Sequence, residues 1–194
     1  MDARFKACVD IGGTKVAVSL AGGDLPQQLR WRRSEPTAKS GRNDAVAQQI
    51  LRMLGEACAE GQVGLDAIGS VGVSACGPFV LQGGLVELAA PNICGGLAGP
   101  ARGLPNDWHS ATLEAPLRAH LPGVRVENDC VAALEAERRW GALQGMAHCA
   151  YVTWSTGIGM GVCVDGHILR GKGGNAGHGG HMFVNDDTTG ALCG

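Results

Sequence analysis

Residues 10–15 combine a carboxylate, a glycine turn and a cation in a pattern suited to phosphate binding. They read DIGGTK, and their first two residues are also the last two of the apolar run FKACVDI. The backbone N–H groups of such a turn can hold phosphate oxygens. The residues assigned to this role are Gly12, Gly13, Thr14 and Lys15. Asp10, at the end of a strand, is placed to meet Mg²⁺ bound to a phosphate. An ordinary hairpin turn explains the same residues equally well.

A second carboxylate, Asp129, lies in the segment VENDC, where a predicted strand passes into a predicted helix. The helix dipole keeps a carboxylate at this position ionised, so that it can accept a proton from a hydroxyl group. Asn128 beside it can hydrogen-bond a neighbouring hydroxyl. The alternative interpretation is that Asn128 or Asp129 only caps the helix.

A second glycine turn and one amide extend the set of candidates. The segment WSTGIGMG offers Thr156, Gly157 and Gly159 as a second wall for a triphosphate. Asn92, in the segment APN, could reach a ligand from a glycine- and proline-rich stretch, although turn chemistry explains it just as well. Ser74 lies within an apolar strand without an evident partner histidine, and we interpret it as structural.

The segment GNAGHGGHMFVNDDTTGALCG closes the chain with two histidines and a cysteine. Zinc takes His and Cys ligands, so His178, His181 and Cys193 are candidate metal ligands. Two or three ligands do not make a structural zinc site, and the same residues could equally line a pocket. The other seven cysteines are scattered without a C-x-x-C pair, and we interpret them as packing residues.

Composition excludes several classes of function. The chain has 194 residues, a hydrophobic fraction of 45% and a formal charge of −2, which indicate a globular protein. It contains no basic run typical of nucleic-acid binding, and no stretch long and apolar enough to span a membrane. The amino terminus lacks the apolar core of a signal peptide, so we expect a cytoplasmic protein without nucleic-acid or membrane partners.

The elements that would position these residues alternate between strands and helices. The predicted strands are FKACVDI, VAVSLA, LRWRRSE, AIGSVGVSA, the hairpin FVLQGGLVEL, VRVEN, AHCAYVTW, GMGVCVDG and HILRG. The predicted helices are NDAVAQQILRMLGEACAEG, PLRAHL and DCVAALEAERRWGAL. This order indicates an α/β protein of two lobes, with a first lobe at 1–114 and a second at 115–194.

Taken in order, DIGGTK, VENDC, STGIGMG and GNAGHGGHM…LCG resemble the motifs of the ROK family, which groups sugar kinases with transcriptional repressors. The resemblance covers the chain from residue 5 to 194. It implies an actin-like, ribonuclease-H-like fold of two lobes with sugar and ATP in the cleft. It also implies that the second lobe is incomplete, because the chain would stop inside the family's zinc motif.

The resemblance implies a role for each candidate. Asp129 matches the catalytic base, which takes a proton from a hexose or N-acetylhexosamine hydroxyl, usually the 6-OH. The residues that match sugar-binding positions are Asn92, Asn128, Asp129, His178 and His181. The two glycine turns match the ATP phosphate loops, with Mg²⁺ near Asp10. His181 and Cys193 match zinc ligands of the full-length parent.

One substitution bears on the substrate. His178 stands where many members have glutamate, which resembles the variant in bacterial N-acetylmannosamine kinases. The resemblance further implies a homo-oligomeric parent. A ROK-type sugar-binding regulator or a sensor without catalysis is the alternative. Only nine residues precede Asp10, too few for the DNA-binding domain of the ROK repressors.

Overall fold

The structure, a computed structural model, describes residues 5–22, 28–98, 103–155 and 157–181. The chain divides into two compact units, Met1–Asp129 and Cys130–Gly194.

A five-stranded sheet forms the centre of the first unit. Its strands, in spatial order, are β3 (Leu29–Pro36), β2 (Lys15–Ala21), β1 (Phe5–Ile11), β4 (Ile68–Ala75) and β8 (Val124–Asn128). β1 pairs in parallel with β4, and β4 in parallel with β8, whereas β1–β2 and β2–β3 are antiparallel. The carboxyl ends of β1, β4 and β8 therefore lie along one edge of the sheet.

A smaller antiparallel sheet and three helices complete the first unit. The small sheet contains β5 (Phe79–Gln82), β6 (Leu85–Leu88) and β7 (Ala111–Thr112). The helices are α1 (Ala45–Glu60), α2 (Gly95–Ala98) and α3 (Glu114–His120), and a 3₁₀ turn covers Leu65–Ala67. β5 and β6 form a hairpin whose turn has positive φ angles at Gly83 and Gly84, a conformation that glycine adopts without steric cost.

The core of the first unit lies between the sheet and α1. α1 buries apolar side chains at helical spacing, namely Val46, Ala47, Ile50, Met53, Leu54, Ala57 and Cys58. These side chains meet the alternate residues of β1 and β4 that point to the same face, such as Val9 and Val73. Burial of this apolar surface holds the five strands, and with them the carboxyl edge, in a fixed arrangement.

The second unit contains one helix and a three-stranded sheet among its described residues. The helix α4 (Asp129–Trp140) begins at the last residue of the first unit, and the strands are β9 (Cys149–Trp154), β10 (Ile158–Val164) and β11 (His167–Ile168). All neighbouring strands are antiparallel. A 3₁₀ turn at Gly179–His181 follows.

The strands and helices predicted from the sequence are present in the structure, and α1 begins after Asp44. The Asp44 side chain does not cap the helix and instead accepts a hydrogen bond from Gln48 at 3.3 Å. The compact units divide after Asp129, whereas the sequence-based lobes divide after residue 114. Residues 115–128 lie in the first unit because β8 pairs with β4.

Candidate active site

Strand register brings the two predicted acidic residues to the same edge of the first unit's sheet. Asp10 is level with Ser74 on β4, and Ser74 is level with Glu127 on β8. Asn128 is the last residue of β8 and Asp129 follows it directly. The carboxyl edge of the parallel strands, a common position for ligand sites in α/β proteins, thus carries both candidates.

The Asp10 carboxylate is exposed and is held by a neighbour on β4. The Ser74 hydroxyl donates a hydrogen bond to Asp10 Oδ1 at 3.3 Å. Ser74, interpreted from the sequence as structural, therefore contacts a candidate functional side chain. A carboxylate oxygen that faces solvent at a strand end is a suitable donor for a hard cation such as Mg²⁺.

The first glycine turn is fixed by its own backbone. The Gly12 N–H donates to the Lys15 carbonyl at 2.9 Å, and the Thr37 hydroxyl donates to the Gly12 carbonyl at 2.8 Å. The Thr37 N–H in turn donates to the Thr14 carbonyl at 3.1 Å. Because the Gly12 N–H is used inside the turn, anion binding would depend on the Gly13 and Thr14 N–H groups and on the exposed Lys15 ammonium.

Asn92 lies directly against this turn. A Cβ placed on Gly13 would lie 2.8 Å from the Cβ of Asn92, closer than side-chain atoms pack, so glycine is needed for the contact. Asn92 is exposed, whereas Ile93 and Cys94 after it are fully buried and anchor the segment in the core.

Asn106 fixes the segment that carries Asn92, a role that no local sequence pattern indicates. Its side-chain NH₂ donates to the Ile93 carbonyl at 3.0 Å and to the Lys39 carbonyl at 2.8 Å. Its side-chain oxygen accepts from the N–H groups of Gly95 at 2.8 Å and Trp108 at 3.1 Å. One amide thus satisfies four backbone groups, which orders the loop behind Asn92.

Cys76 follows β4 directly and lies close to both candidate carboxylates. The pKa of the Cys76 thiol is raised to about 11, chiefly by burial, with smaller contributions from the negative charges of Asp129 and Asp10. The Cys76 N–H donates to the Ile11 carbonyl at 2.9 Å, which fixes the thiol at the strand end. The thiol therefore reports that Asp10 and Asp129 lie on the same small area of the edge. From the sequence we interpreted Cys76 only as a packing residue, because its proximity to the two carboxylates depends on strand pairing.

Asn128 and Asp129 differ in exposure. Asn128 is buried, with 7% of its surface exposed, and its N–H contacts Glu127 Oε1 at 3.2 Å. Asp129 is half-buried and is the first residue of α4, where the helix dipole stabilises its charge. The capping role considered from the sequence and a catalytic role are compatible at this position, because a carboxylate there has more than one lone pair.

The second glycine turn lies in the second unit, between β9 and β10. The Ser155 N–H donates to the Gly157 carbonyl at 3.0 Å and closes the turn. Gly159 lies opposite Thr153 in the hairpin and packs against the Cys130 thiol of α4, where a Cβ would collide with the sulfur. Thr156, the remaining candidate of this turn, lies outside the described residues.

His178 follows β11 in a loop that is tied to β10. The Met160 N–H donates to the Gly177 carbonyl at 2.8 Å, and His178 beside it is half-buried. Cys193 lies outside the described residues, as does the side chain of His181. Over residues 5–22, 28–98, 103–155 and 157–181, no group of three or more His, Cys, Asp or Glu side chains could hold a metal ion. His181 and Cys193 stay predicted zinc ligands.

Family comparison agrees with the motifs. Residues 6–194 match the model of the ROK family. The chain belongs to the ROK family. It is 35% identical over 187 residues to the N-acetylmannosamine kinase of Escherichia coli O9:H4 (strain HS), a match that covers 96% of this chain and 56% of that relative. The chain thus spans about half the length of the curated relatives it matches.

Solved ROK structures share its architecture. A ROK family glucokinase from Streptomyces griseus, in complex with glucose and AMPPNP, aligns with a TM-score of 0.67 and 28% identity over 94% of this chain and 52% of its own. The ROK hexokinase from Thermus thermophilus aligns with a TM-score of 0.66 and 29% identity over 98% of this chain and 55% of its own. The predicted α/β, actin-like fold is confirmed. Among the described residues, no helix is both long and apolar enough to cross a bilayer.

Proposed function

We propose that the protein is an ATP-dependent kinase that phosphorylates a hydroxyl group, the 6-OH in our assignment, of a hexose or an N-acetylhexosamine. The ROK relatives named above as N-acetylmannosamine kinase, glucokinase and hexokinase support this class of reaction. The observation that carries the proposal is the strand register, which brings Asp10 and the β8 end that precedes Asp129 to one edge of the sheet. Such an edge can hold a phosphoryl donor next to a general base.

In this mechanism, Asp129 accepts the proton from the attacking sugar hydroxyl. Its half-buried carboxylate belongs to the first residue of α4, where the helix dipole favours a negative charge. Phosphoryl transfer needs little covalent participation from the protein, so alignment of the hydroxyl with the transferred phosphoryl group is the main contribution. A carboxylate within hydrogen-bond reach of the hydroxyl supplies both alignment and proton removal.

The phosphate chain of the co-substrate Mg-ATP is assigned to the first glycine turn. Mg²⁺ brought by the nucleotide neutralises phosphate charge, and the exposed Asp10 carboxylate has the oxygen donors that it prefers. Ser74 orients Asp10 through its hydrogen bond. The N–H groups of Gly13 and Thr14 and the Lys15 ammonium are placed to contact phosphate oxygens. Gly157 and Gly159 remain predicted phosphate-binding residues of the second turn, together with Thr156.

Sugar recognition is assigned to Asn92, Asn128, His178 and His181. Asn92 is the best supported of these by geometry, because it is exposed, rigidly anchored and in contact with the glycine turn. Asn128 is buried at the strand end, so its assignment depends on the family resemblance. The His178 imidazole offers one hydrogen-bond acceptor, whereas a glutamate carboxylate would offer two charged oxygens. This difference favours a different set of sugar hydroxyls.

Further proposals follow from the family resemblance alone. We propose that the two compact units belong to the two lobes of a ROK kinase, that His181 and Cys193 ligate zinc in the longer parent, and that the parent is a cytoplasmic homo-oligomer. None of these proposals alters the assignments at the carboxyl edge.

The reaction class can be tested with a coupled assay of ADP formation. The chain, and in parallel the chain extended by any coding sequence that follows residue 194, is assayed with Mg-ATP and a panel of five sugars. The panel contains glucose, mannose, N-acetylglucosamine, N-acetylmannosamine and fructose. We expect ADP formation that depends on one or more of them, and nuclear magnetic resonance of the product would identify the phosphorylated hydroxyl.

Calorimetric titration with the same sugars separates the alternatives. Sugar binding without ADP formation in either form would favour a sugar sensor over a kinase. Neither binding nor turnover in the extended form would contradict the proposal. Phosphorylation at another hydroxyl would retain the kinase and correct the 6-OH assignment.

A further inference from the structure

Two cysteines of the second unit face each other across a pair of strands, far from any role in the proposed reaction. Cys149 is the first residue of β9, and the antiparallel register places it directly opposite Cys163 on β10. Directly opposed residues of antiparallel strands have Cα atoms about 4.5 or 5.5 Å apart, depending on the type of pair. Both spacings fall within the range of about 4.4–6.8 Å that a disulfide requires.

The side chains of this pair also lie near each other. The Cys163 thiol is one of the groups that raise the pKa of the Cys149 thiol. The Cys163 thiol also donates to the Ala147 carbonyl at 3.4 Å, and the Cys149 thiol contacts the Met146 carbonyl at 4.0 Å. Both sulfur atoms therefore lie on the same side of the hairpin, next to the same short loop.

The pair is asymmetric in its access to solvent. Cys163 is buried, with 1% of its surface exposed, whereas Cys149 is half-buried at the start of its strand. An outside reagent therefore reaches Cys149 first. The partial burial of Cys149 and the nearby Cys163 raise the pKa of the Cys149 thiol, while the Arg138 guanidinium lowers it.

We propose that Cys149 and Cys163 form a dithiol modification site that closes to a disulfide by exchange with a low-molecular-weight disulfide such as oxidised glutathione. The Cys149 thiolate attacks one sulfur of the reagent, and the first glutathione leaves as a thiolate that takes up the proton lost by Cys149. The Cys163 thiolate then attacks the Cys149 sulfur of the mixed disulfide and releases the second glutathione, which takes up its proton. Two protein thiols are oxidised and one disulfide reagent is reduced to two thiols.

The consequence is local to the hairpin. A Cys149–Cys163 bond would join β9 and β10 at the end opposite the Ser155–Gly157 turn and fix their register. The disulfide is an added modification of the second unit and does not depend on the proposed kinase activity.

The test uses the chain as it exists and a single proteolytic fragment. The protein is equilibrated in buffers of graded reduced and oxidised glutathione, quenched, unfolded and labelled with N-ethylmaleimide. No Lys or Arg lies between residues 140 and 169, so trypsin releases both thiols on the peptide 140–170. We expect this peptide to carry two labels in reduced buffer. In oxidised buffer we expect it to carry no label and to be lighter by two hydrogen atoms. Chymotrypsin should then give two linked fragments, one holding each cysteine.

Matched controls separate geometry from simple reactivity. In Cys163→Ala, Cys149 should end as a glutathione adduct. In Cys149→Ser, Cys163 should remain available for labelling. Neither variant should form the closed peptide, which is the form with the internal disulfide. When the wild-type chain is unfolded in urea at the same ratio of reduced to oxidised glutathione, the yield of closed peptide should fall at least about ten-fold, because the strands no longer hold the thiols together.

Three outcomes would overturn the proposal. They are two labels on the peptide in oxidised buffer, a stable glutathione adduct of wild-type Cys149 beside a free Cys163, and equal closure in folded and unfolded chains. The wild-type results need no variant, so failure of either variant to fold leaves the test decisive.

Discussion

The two glycine turns of this chain look alike in sequence but have different supports. The turn at residues 12–15 joins β1 and β2, and every residue of β2 except Lys15 is buried. The turn at 155–157 joins β9 and β10, where Trp154 is 84% exposed and Val152 is 55% exposed. The first turn is therefore held by a packed core, and the second is held mainly by its own hairpin and one face of α4.

The same difference applies to the side chains around the turns. At the first turn, Asn92, Ser74 and Cys76 arrive from other elements and contact the turn or its acidic neighbours. At the second turn, the described contacts are local to the hairpin, α4 and the loop at Gly177. Among the described residues, the first turn therefore receives chemical groups from other elements of its sheet, which is why its site can be described in more detail.

The largest expected effect concerns the acid at the carboxyl edge. Asp129→Asn should lower sugar-dependent ADP formation about 10²–10⁴-fold and leave sugar binding largely intact, because the amide keeps the shape but cannot accept the proton. Coupled kinetics and calorimetric titration measure the two quantities. Asp66→Asn, at an exposed acid of the 3₁₀ turn, is the matched control and should retain activity. Near-normal turnover of Asp129→Asn would refute the assignment.

Core substitutions test the structural side of the comparison. Leu54→Ala, on the buried face of α1, should lower the free energy of unfolding by about 2–5 kcal/mol. Val152→Ala, on the exposed face of β9, should change it by less than about 0.5 kcal/mol. Urea denaturation measures both. Equal losses for the two variants would show that the strands of the second unit are as tightly packed as those of the first.

A pair of alanine substitutions sharpens the contrast between the turns themselves. At Gly13, an added Cβ would press on Asn92, so Gly13→Ala should cost about 1–3 kcal/mol of stability. At Gly157, an added Cβ meets open space, and Gly157→Ala should stay within about 0.5 kcal/mol of wild type. Thermal or urea unfolding of the two variants measures the contrast. A larger loss of stability in Gly157→Ala than in Gly13→Ala would contradict the proposed difference between the turns.

The smallest expected effect is a loss of stability in alkali. Folding raises the pKa of the Cys76 and Cys94 thiols from the ordinary 9.0 to about 11, chiefly by burial. Between these values the unfolded chain releases protons that the folded chain keeps, so stability falls as the pH rises and is unaffected below this window.

Urea denaturation at pH values below and within this window measures the loss. Cys76→Ala should show a smaller difference between the two pH values than wild type, by an amount on the order of 1 kcal/mol. The comparison of pH differences cancels the cost of the alanine substitution itself. Identical pH dependence in the two proteins would contradict the shift at Cys76.

The sequence was sufficient for elements whose signals are local. The apolar spacing of Val46, Ile50, Met53 and Leu54 predicted α1, and Gly83-Gly84 predicted the β5–β6 hairpin. DIGGTK and VENDC predicted the candidate acids, and strand register places both at one edge. Local patterns are sufficient for such features because each depends on neighbouring residues.

Features that depend on long-range packing were not predicted. Ser74 and Cys76 acquire their roles only because β4 pairs between β1 and β8, and no local pattern encodes that order. Asn106 was missed because its four partners come from three separate segments. The compact units divide after Asp129 because β8 pairs with β4, a pairing that no local pattern encodes, and the lobe boundary after residue 114 stays a prediction.

The central claim is that Asp10 and Asp129 share one edge of the sheet, and the pKa of the Cys76 thiol tests it most directly. This pKa is measured from thiolate absorbance, after the absorbance of a protein that lacks Cys76 has been subtracted. If Asp129 and Asp10 lie beside this thiol, Asp129→Asn should lower its pKa, and Asp10→Asn should lower it by a smaller amount. A Cys76 pKa that neither substitution moves would show that the two carboxylates do not share this edge, and would contradict the account.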